Sequence, residues 1–222
     1  MLEQTFQKSL WLVFILAVPF SVPLAKVPEV DVPQVTVSVH NDAGVPPEIL
    51  MRAESEASRV FRHSGLETLW LNCPLSLENP QKPAHCGPAD FPTHLQLRIA
   101  KNSLNLNEFA LGISYLSADG IGCYADLFYE RAWHLHQATH VDLASILSHA
   151  FAHEIGHLLL GSNSHSPTGL MRARWQPADL ASASQGILLF STQESQQMRN
   201  KLSAWHARER DTSRLPTARL GN

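Results

Sequence analysis

Apolar and polar residues alternate in "VTVSVH" (35–40), the mark of a strand with one buried face. After a turn at "NDAGVPP", residues 48–65 place Ile49, Ala53, Ala57, Val60 and Phe61 at helical spacing. Pro47 suits the first turn of that helix and Gly65 its exit. Alternation returns in "LETLWLN" (66–72) and "THLQLRIA" (93–100). It recurs in "ALGISYL" (110–116) and "GCYADLFYERAWHL" (122–135), two strands joined by "SADGIG" and expected to form a hairpin. His134, His136 and His140 alternate near the end of the last strand, where a second metal site is conceivable but less favoured than plain exposure. From Asp142 the period becomes helical. "DLASILSHAFAHEIGHLLLG" is apolar, free of Pro, acidic at its start and closed by Gly161 at the C′ position. A short turn-rich or helical piece, "WQPADLASAS", follows. Then "TQESQQMRNKLSAWHARE" (192–209) reads as an amphipathic helix capped by Ser191 or Thr192, and residues 210–222 as a disordered tail. The order predicts an α/β (α+β) domain over 35–209, a mixed five-stranded sheet flanked by three main helices.

The 222 residues suffice for one such domain, and no internal repeat or second domain is evident. Seventeen basic against twenty acidic residues argue against nucleic acid or an anionic membrane as the main partner. Residues 1–25 read as a signal peptide: "LWLVFILAVPF" is too short to span a bilayer core, which takes about 20 residues, but suits an h-region. The expectation is a secreted or periplasmic protein without stable membrane insertion after cleavage, monomeric, with "KVPEVDVPQ" (26–34) as an extended lead-in. Export permits disulfides. Cys73 and Cys86 bracket the Pro-rich stretch "CPLSLENPQKPAHC" and are expected to bridge, leaving Cys123 as a small apolar residue. No CxxC pair is present, so a cysteine-based zinc site is not expected.

The chemistry concentrates at "AHEIGHLLLGSNSHSPTGLM" (152–171). Residues four apart share a helix face, so His153 and His157 offer two imidazoles to one point, as two ligands of a tetrahedral Zn2+ require. Glu154 is turned about 100° away; beside the ligands it suits a general base acting on water. The alternative is a helix whose polar residues face solvent or satisfy one another. His149 lies about 12 Å along the axis from His157 and reads as an exposed or supporting residue. Asp142 reads as a helix-start charge.

In these residues the chain resembles the metzincin clan of zinc endopeptidases, whose pattern is HExxHxxGxxH followed by a methionine turn. His153, Glu154 and His157 match its first half, and "HSPTGLM" (165–171) is similar to the matrixin run from third histidine to Met-turn, with Met171 as the methionine. Two departures stand out: Leu160 occupies the clan's glycine position and Asn163 its third-ligand position, while Gly161 and His165 lie one and two places later. Four residues from Gly161 can extend about 13 Å, enough to bring His165 back. His165 is therefore the expected third ligand, with Asn163 or a downstream carboxylate, Glu194, as alternatives. Ala173 stands where astacin-like members carry a tyrosine, so a tyrosine switch there is excluded. "HCGPAD" (85–90) is similar to the matrixin cysteine switch, but such a switch precedes the catalytic domain, and the Cys73–Cys86 bridge is preferred.

The resemblance implies a zincin-like twisted sheet, an active-site helix and a Met-turn in which Met171 floors a single catalytic Zn2+. It also implies that "LGISYL" is the edge strand above a cleft, with Leu111, Gly112, Ile113, Ser114 and Tyr115 bordering a peptide or protein substrate that pairs in extended form. The function expected is a secreted zinc metalloendopeptidase with Glu154 as base. A non-catalytic zinc-binding domain and a zinc hydrolase of non-peptide amides are the alternatives. A site without catalysis has no use for Glu154.

Overall fold

The computed structural model describes residues 32–74, 86, 87, 89, 92–102 and 110–214, with side chains as far as 207. The stretch 1–25 expected to be a signal peptide, the expected lead-in up to residue 31, the interior of the cysteine loop and residues 215–222 lie outside the described residues. Five strands, β1 (Gln34–His40), β2 (Glu67–Cys73), β3 (His94–Ala100), β4 (Gly112–Tyr115) and β5 (Tyr124–Phe128), form one mixed sheet in the order β2-β1-β3-β5-β4. β2, β1, β3 and β5 run parallel; β4 pairs antiparallel with β5 and forms an edge.

Strand alternation decides what each face carries. Val35, Val37, Val39, Leu95, Leu97, Ile99, Ala125 and Leu127 are buried on the face covered by helices. The register opposes Ser114 to Ala125 and Tyr115 to Tyr124. Ser114 therefore looks toward the helices, while the next residue looks away: the Tyr115 hydroxyl donates to Asp126, 2.9 Å distant, across a separate hollow.

Helix α1 (Pro47–His63) is amphipathic and packs against α3 (Leu143–Leu160). α3 differs in kind: every residue from Leu143 to Leu159 is buried, so it is surrounded on all sides, and the polar residues Ser145, Ser148, His149, His153, Glu154 and His157 are enclosed along with its apolar majority. Each large apolar side chain so enclosed contributes about 1.5–3 kcal/mol. Asp142 caps its start, accepting from Ser145 N at 3.2 Å, and also takes Arg52 of α1 at 2.6 Å. Gly161 ends it in the left-handed conformation, φ 69°. The carbonyl of Gly161 would lie 2.5 Å from a Cβ on Gly120, so the tip of the β4–β5 hairpin can rest on the helix end only with glycine there.

Three expectations need correction. The stretch 122–135 is not all strand: β5 stops at Phe128, and Tyr129–Thr139 is a helix, α2. His134 and His136 lie on that helix, and His140 caps it with φ 58°. The alternation in "HLHQATH" was misleading, because Tyr129, Ala132 and Leu135, at helical spacing, are the residues that reach the core. With α4 (Pro177–Ser184), the described residues hold five helices rather than three main ones. The last, α5 (Thr192–Arg214), continues past residue 209 into the stretch expected to be disordered. Among the described residues, no helix is long and apolar enough to cross a membrane.

Cys73 and Cys86 form a disulfide that ties Cys86, at the far end of the Pro-rich stretch, to the last residue of β2. It leaves Cys86 no thiolate to serve as a switch. Cys123 takes no part in the bridge and packs, partly buried, against the core.

Candidate metal centre

His153, His157 and His165 converge: one nitrogen from each lies within 4.8 Å of the others. The first two sit one turn apart on α3, with ring centroids 4.7 Å apart. His165 arrives from the returning loop, its ring 4.8 Å from that of His157 and stacked 5.5 Å from that of His153. The loop is held by backbone bonds. The His157 carbonyl accepts from Gly161 N and Ser162 N, and Ser166 N donates to the Met171 carbonyl at 2.8 Å.

Which nitrogen of each ring faces the centre follows from its partners. His153 Nδ1 lies 2.8 Å from the Leu170 carbonyl, and His157 Nδ1 lies 2.7 Å from the Ser162 carbonyl. A carbonyl oxygen can only accept, so both Nδ1 atoms carry the proton. In neutral rings both Nε2 atoms then present lone pairs, yet these two atoms are 3.0 Å apart. Burial holds the rings neutral: it lowers His153 to about 3, with the charges of His157 and His165 acting the same way. Burial likewise lowers His157 and His165. Two lone pairs without a proton between them repel, unless a cation lies between. Two imidazole nitrogens on one tetrahedral zinc stand about 3.3 Å apart. The donor set therefore fits a zinc ion, with backbone carbonyls orienting two of its three imidazoles.

Glu154, on the next position of α3, is also buried. Ser114 Oγ lies 2.7 Å from Glu154 Oε2 and 2.8 Å from the Glu154 backbone carbonyl, tying the edge strand to the helix. Burial lifts this carboxyl to about 7, against the lowering effect of the Ser114 bond. Gly112 leaves the room: a Cβ there would stand 2.6 Å from Glu154 Cγ. These groups open onto a cleft of about 910 Å³, whose lining includes Leu111, Gly112, Ile113, Ser114, Asn163 and His165. Tyr115, expected beside them, lines the other hollow instead.

Met171 is buried, and its Sδ would lie 2.9 Å from a Cβ on Gly156, between the turns that carry His153 and His157. This contact is core packing against the segment of α3 that carries both histidines. Asn163 is exposed. Glu194 is employed elsewhere: it accepts from Ser191 N at 2.7 Å and from the Ser166 hydroxyl, capping α5 and anchoring the returning loop. His149 is fully buried rather than exposed; its Nδ1 meets the Ser145 carbonyl at 2.7 Å.

Four contributors lay beyond the reach of sequence reasoning: the Ser114 hydroxyl, the carbonyls of Ser162 and Leu170, and Trp175. The Trp175 Nε1 donates to the Leu170 carbonyl at 3.1 Å, the same oxygen that takes His153, and its ring meets the His153 ring edge-on. Backbone carbonyls leave no signature in a side-chain pattern. Ser114 could have been found only by knowing which face of β4 the helix covers.

No protein-family model and no curated protein sequence matches the chain. Its fold is similar to two solved structures from archaea. One is a zinc-dependent peptidase from Methanocorpusculum labreanum, 17% identical, covering 73% of this chain and 99% of its own, with a TM-score of 0.48. The other is an archaemetzincin from Methanopyrus kandleri, 16% identical, covering 80% of this chain and 99% of its own, with a TM-score of 0.44.

Proposed function

We propose that this protein is a secreted zinc-dependent endopeptidase. The observation that carries the reading is the His153–His157 pair, whose Nε2 lone pairs face each other at 3.0 Å with both Nδ1 protons committed to carbonyls. His165 completes the donor set, and a buried carboxyl stands beside it at the foot of a cleft. A bound zinc would supply Lewis acidity, polarising the scissile carbonyl and lowering the pKa of water to about 7.

The remaining work falls to the chain. With Ser114 holding Oε2, Glu154 takes the attacking water's proton at Oε1 and returns it to the departing amine as the C–N bond breaks. An extended substrate pairs with the open edge of β4 along Gly112–Ser114. The apolar run at 10–20 supports export, and the Cys73–Cys86 disulfide suits an oxidising compartment.

The test is Glu154→Gln. The variant should keep one zinc per chain by metal analysis and lose activity on an unstructured polypeptide by roughly 10²–10⁴-fold, the range of general-base contributions. Zinc-free protein as purified, or full activity in Glu154→Gln, would refute the reading.

A further inference from the structure

The three imidazoles of the centre are not fixed in the same way. His153 and His157 sit on α3, and each gives its Nδ1 proton to a backbone carbonyl. His165 lies on the returning loop, and among the described residues no hydrogen bond orients its ring. Its place is therefore set by the backbone on either side. Ser164 N donates to the Ser162 hydroxyl at 3.1 Å, and Ser166 N donates to the Met171 carbonyl at 2.8 Å. The Ser166 hydroxyl, one residue from His165, reaches further and donates to Glu194 Oε1 across 28 residues of sequence.

Glu194 is a firm post for that bond. It is buried, and its other oxygen accepts from Ser191 N at 2.7 Å. The helix that bears it is tied to the exit of α1: Ser195 Oγ lies 3.1 Å from Ser64 Oγ, and Arg199 Nη1 donates to the Ser64 carbonyl at 2.6 Å. Met198 and Leu202 of α5 are part of the core. A hydroxyl held by a carboxylate makes a stronger bond than a neutral pair, so the loop is moored to an element that does not yield. Burial governs His157, yet the charge of Glu194 acts there in the opposite sense and favours a cation.

Resting on the zinc reading of the three histidines, we infer that Glu194, acting through Ser166, is the positioning residue for the third ligand, so that α5 and the metal hold each other in place. Such coupling is reciprocal: whatever the moored loop lends to zinc affinity, bound zinc lends to the start of α5. The experiment strips the full chain of metal and titrates it with zinc against a chelating competitor. Ser166→Ala cuts the link while leaving the Ser191–Glu194 cap in place. It should weaken zinc binding roughly 10- to 100-fold, the usual loss when a ligand's outer support is removed, and Ser166→Thr, which keeps the hydroxyl, should restore it. The rise in melting temperature that zinc gives should shrink in Ser166→Ala, whereas a merely structural bond would lower the melting temperature equally with and without zinc. A hydrogen-exchange arm reads the reverse direction: zinc should slow exchange at the first-turn amides of α5 in the parent and not in Ser166→Ala. Equal zinc affinity in the parent and Ser166→Ala overturns the inference, as does a loss that Ser166→Thr fails to restore or an α5 whose exchange ignores zinc. A parent that holds zinc, shows the Ser166 dependence and cleaves no polypeptide supports this inference and defeats the peptidase reading alone. A parent that binds no zinc overturns both.

Discussion

Two glutamates, Glu54 on α1 and Glu154 on α3, are buried almost equally, with 8% and 6% of their surface exposed. Burial raises both carboxyls, to about 6 and about 7. Each receives one side-chain hydrogen bond, from Asn72 at 3.4 Å and from Ser114 at 2.7 Å. Their surroundings separate them. Glu154 borders a cleft and stands beside converging imidazoles, whereas Glu54 Oε1 is buried without a hydrogen-bond partner and Glu54 does not line that cleft. A shifted pKa marks a desolvated acid. Access together with neighbouring donors is what assigns Glu154 a chemical role in the proposed function, and Glu54, lacking both, is a cost to stability.

That contrast can be broken most sharply at the metal. His165→Ala removes a donor from the Glu154 side and should abolish both stoichiometric zinc and peptide cleavage, read by metal analysis and a peptide digest. Retention of both would return Asn163 to consideration as a ligand. A smaller effect is expected from Ser114→Ala. Losing one hydrogen bond to a charged group costs about 1.5–3 kcal/mol, so cleavage at neutral pH should fall roughly 10- to 100-fold with zinc retained. Because that bond favours the ionised carboxylate, its loss should move the acid limb of the pH–rate profile to higher pH. An unmoved limb would mean that Ser114 only fastens β4 to α3.

The sequence revealed the centre better than its supports. Helical spacing alone places His153 and His157 on one face, and the turn at Gly161 allows His165 to return. The strands β1 and β3 were legible from alternation, because one face of each is buried, Val35, Val37 and Val39 in the first and Leu95, Leu97 and Ile99 in the second. Alternation failed at α2, where "HLHQATH" mimics a strand although Tyr129, Ala132 and Leu135 bury a helical stripe. It also could not show that Ser114 faces Glu154 while Tyr115 faces Asp126, since that choice is made by the pairing register with β5.

Glu54 offers the weakest and cleanest test. Its folded carboxyl titrates near 6 against an ordinary 4.5, so between those values the native chain binds more protons than the unfolded one. Stability must then fall as pH rises from about 4.5 to about 6, and the deficit persists above that window. The shift alone corresponds to about 2 kcal/mol, and partial contact with water reduces this to roughly 1 kcal/mol. Glu54→Gln keeps an acceptor for Asn72 and abolishes the titration. Its melting temperature should exceed that of the parent by about 2–4 °C at pH 7.5, converge with it near pH 4, and leave peptide cleavage unchanged. A variant that melts no higher than the parent at pH 7.5 would show that Glu54 is already compensated. A variant that loses cleavage would place Glu54 in the chemistry, and the contrast with Glu154 would dissolve.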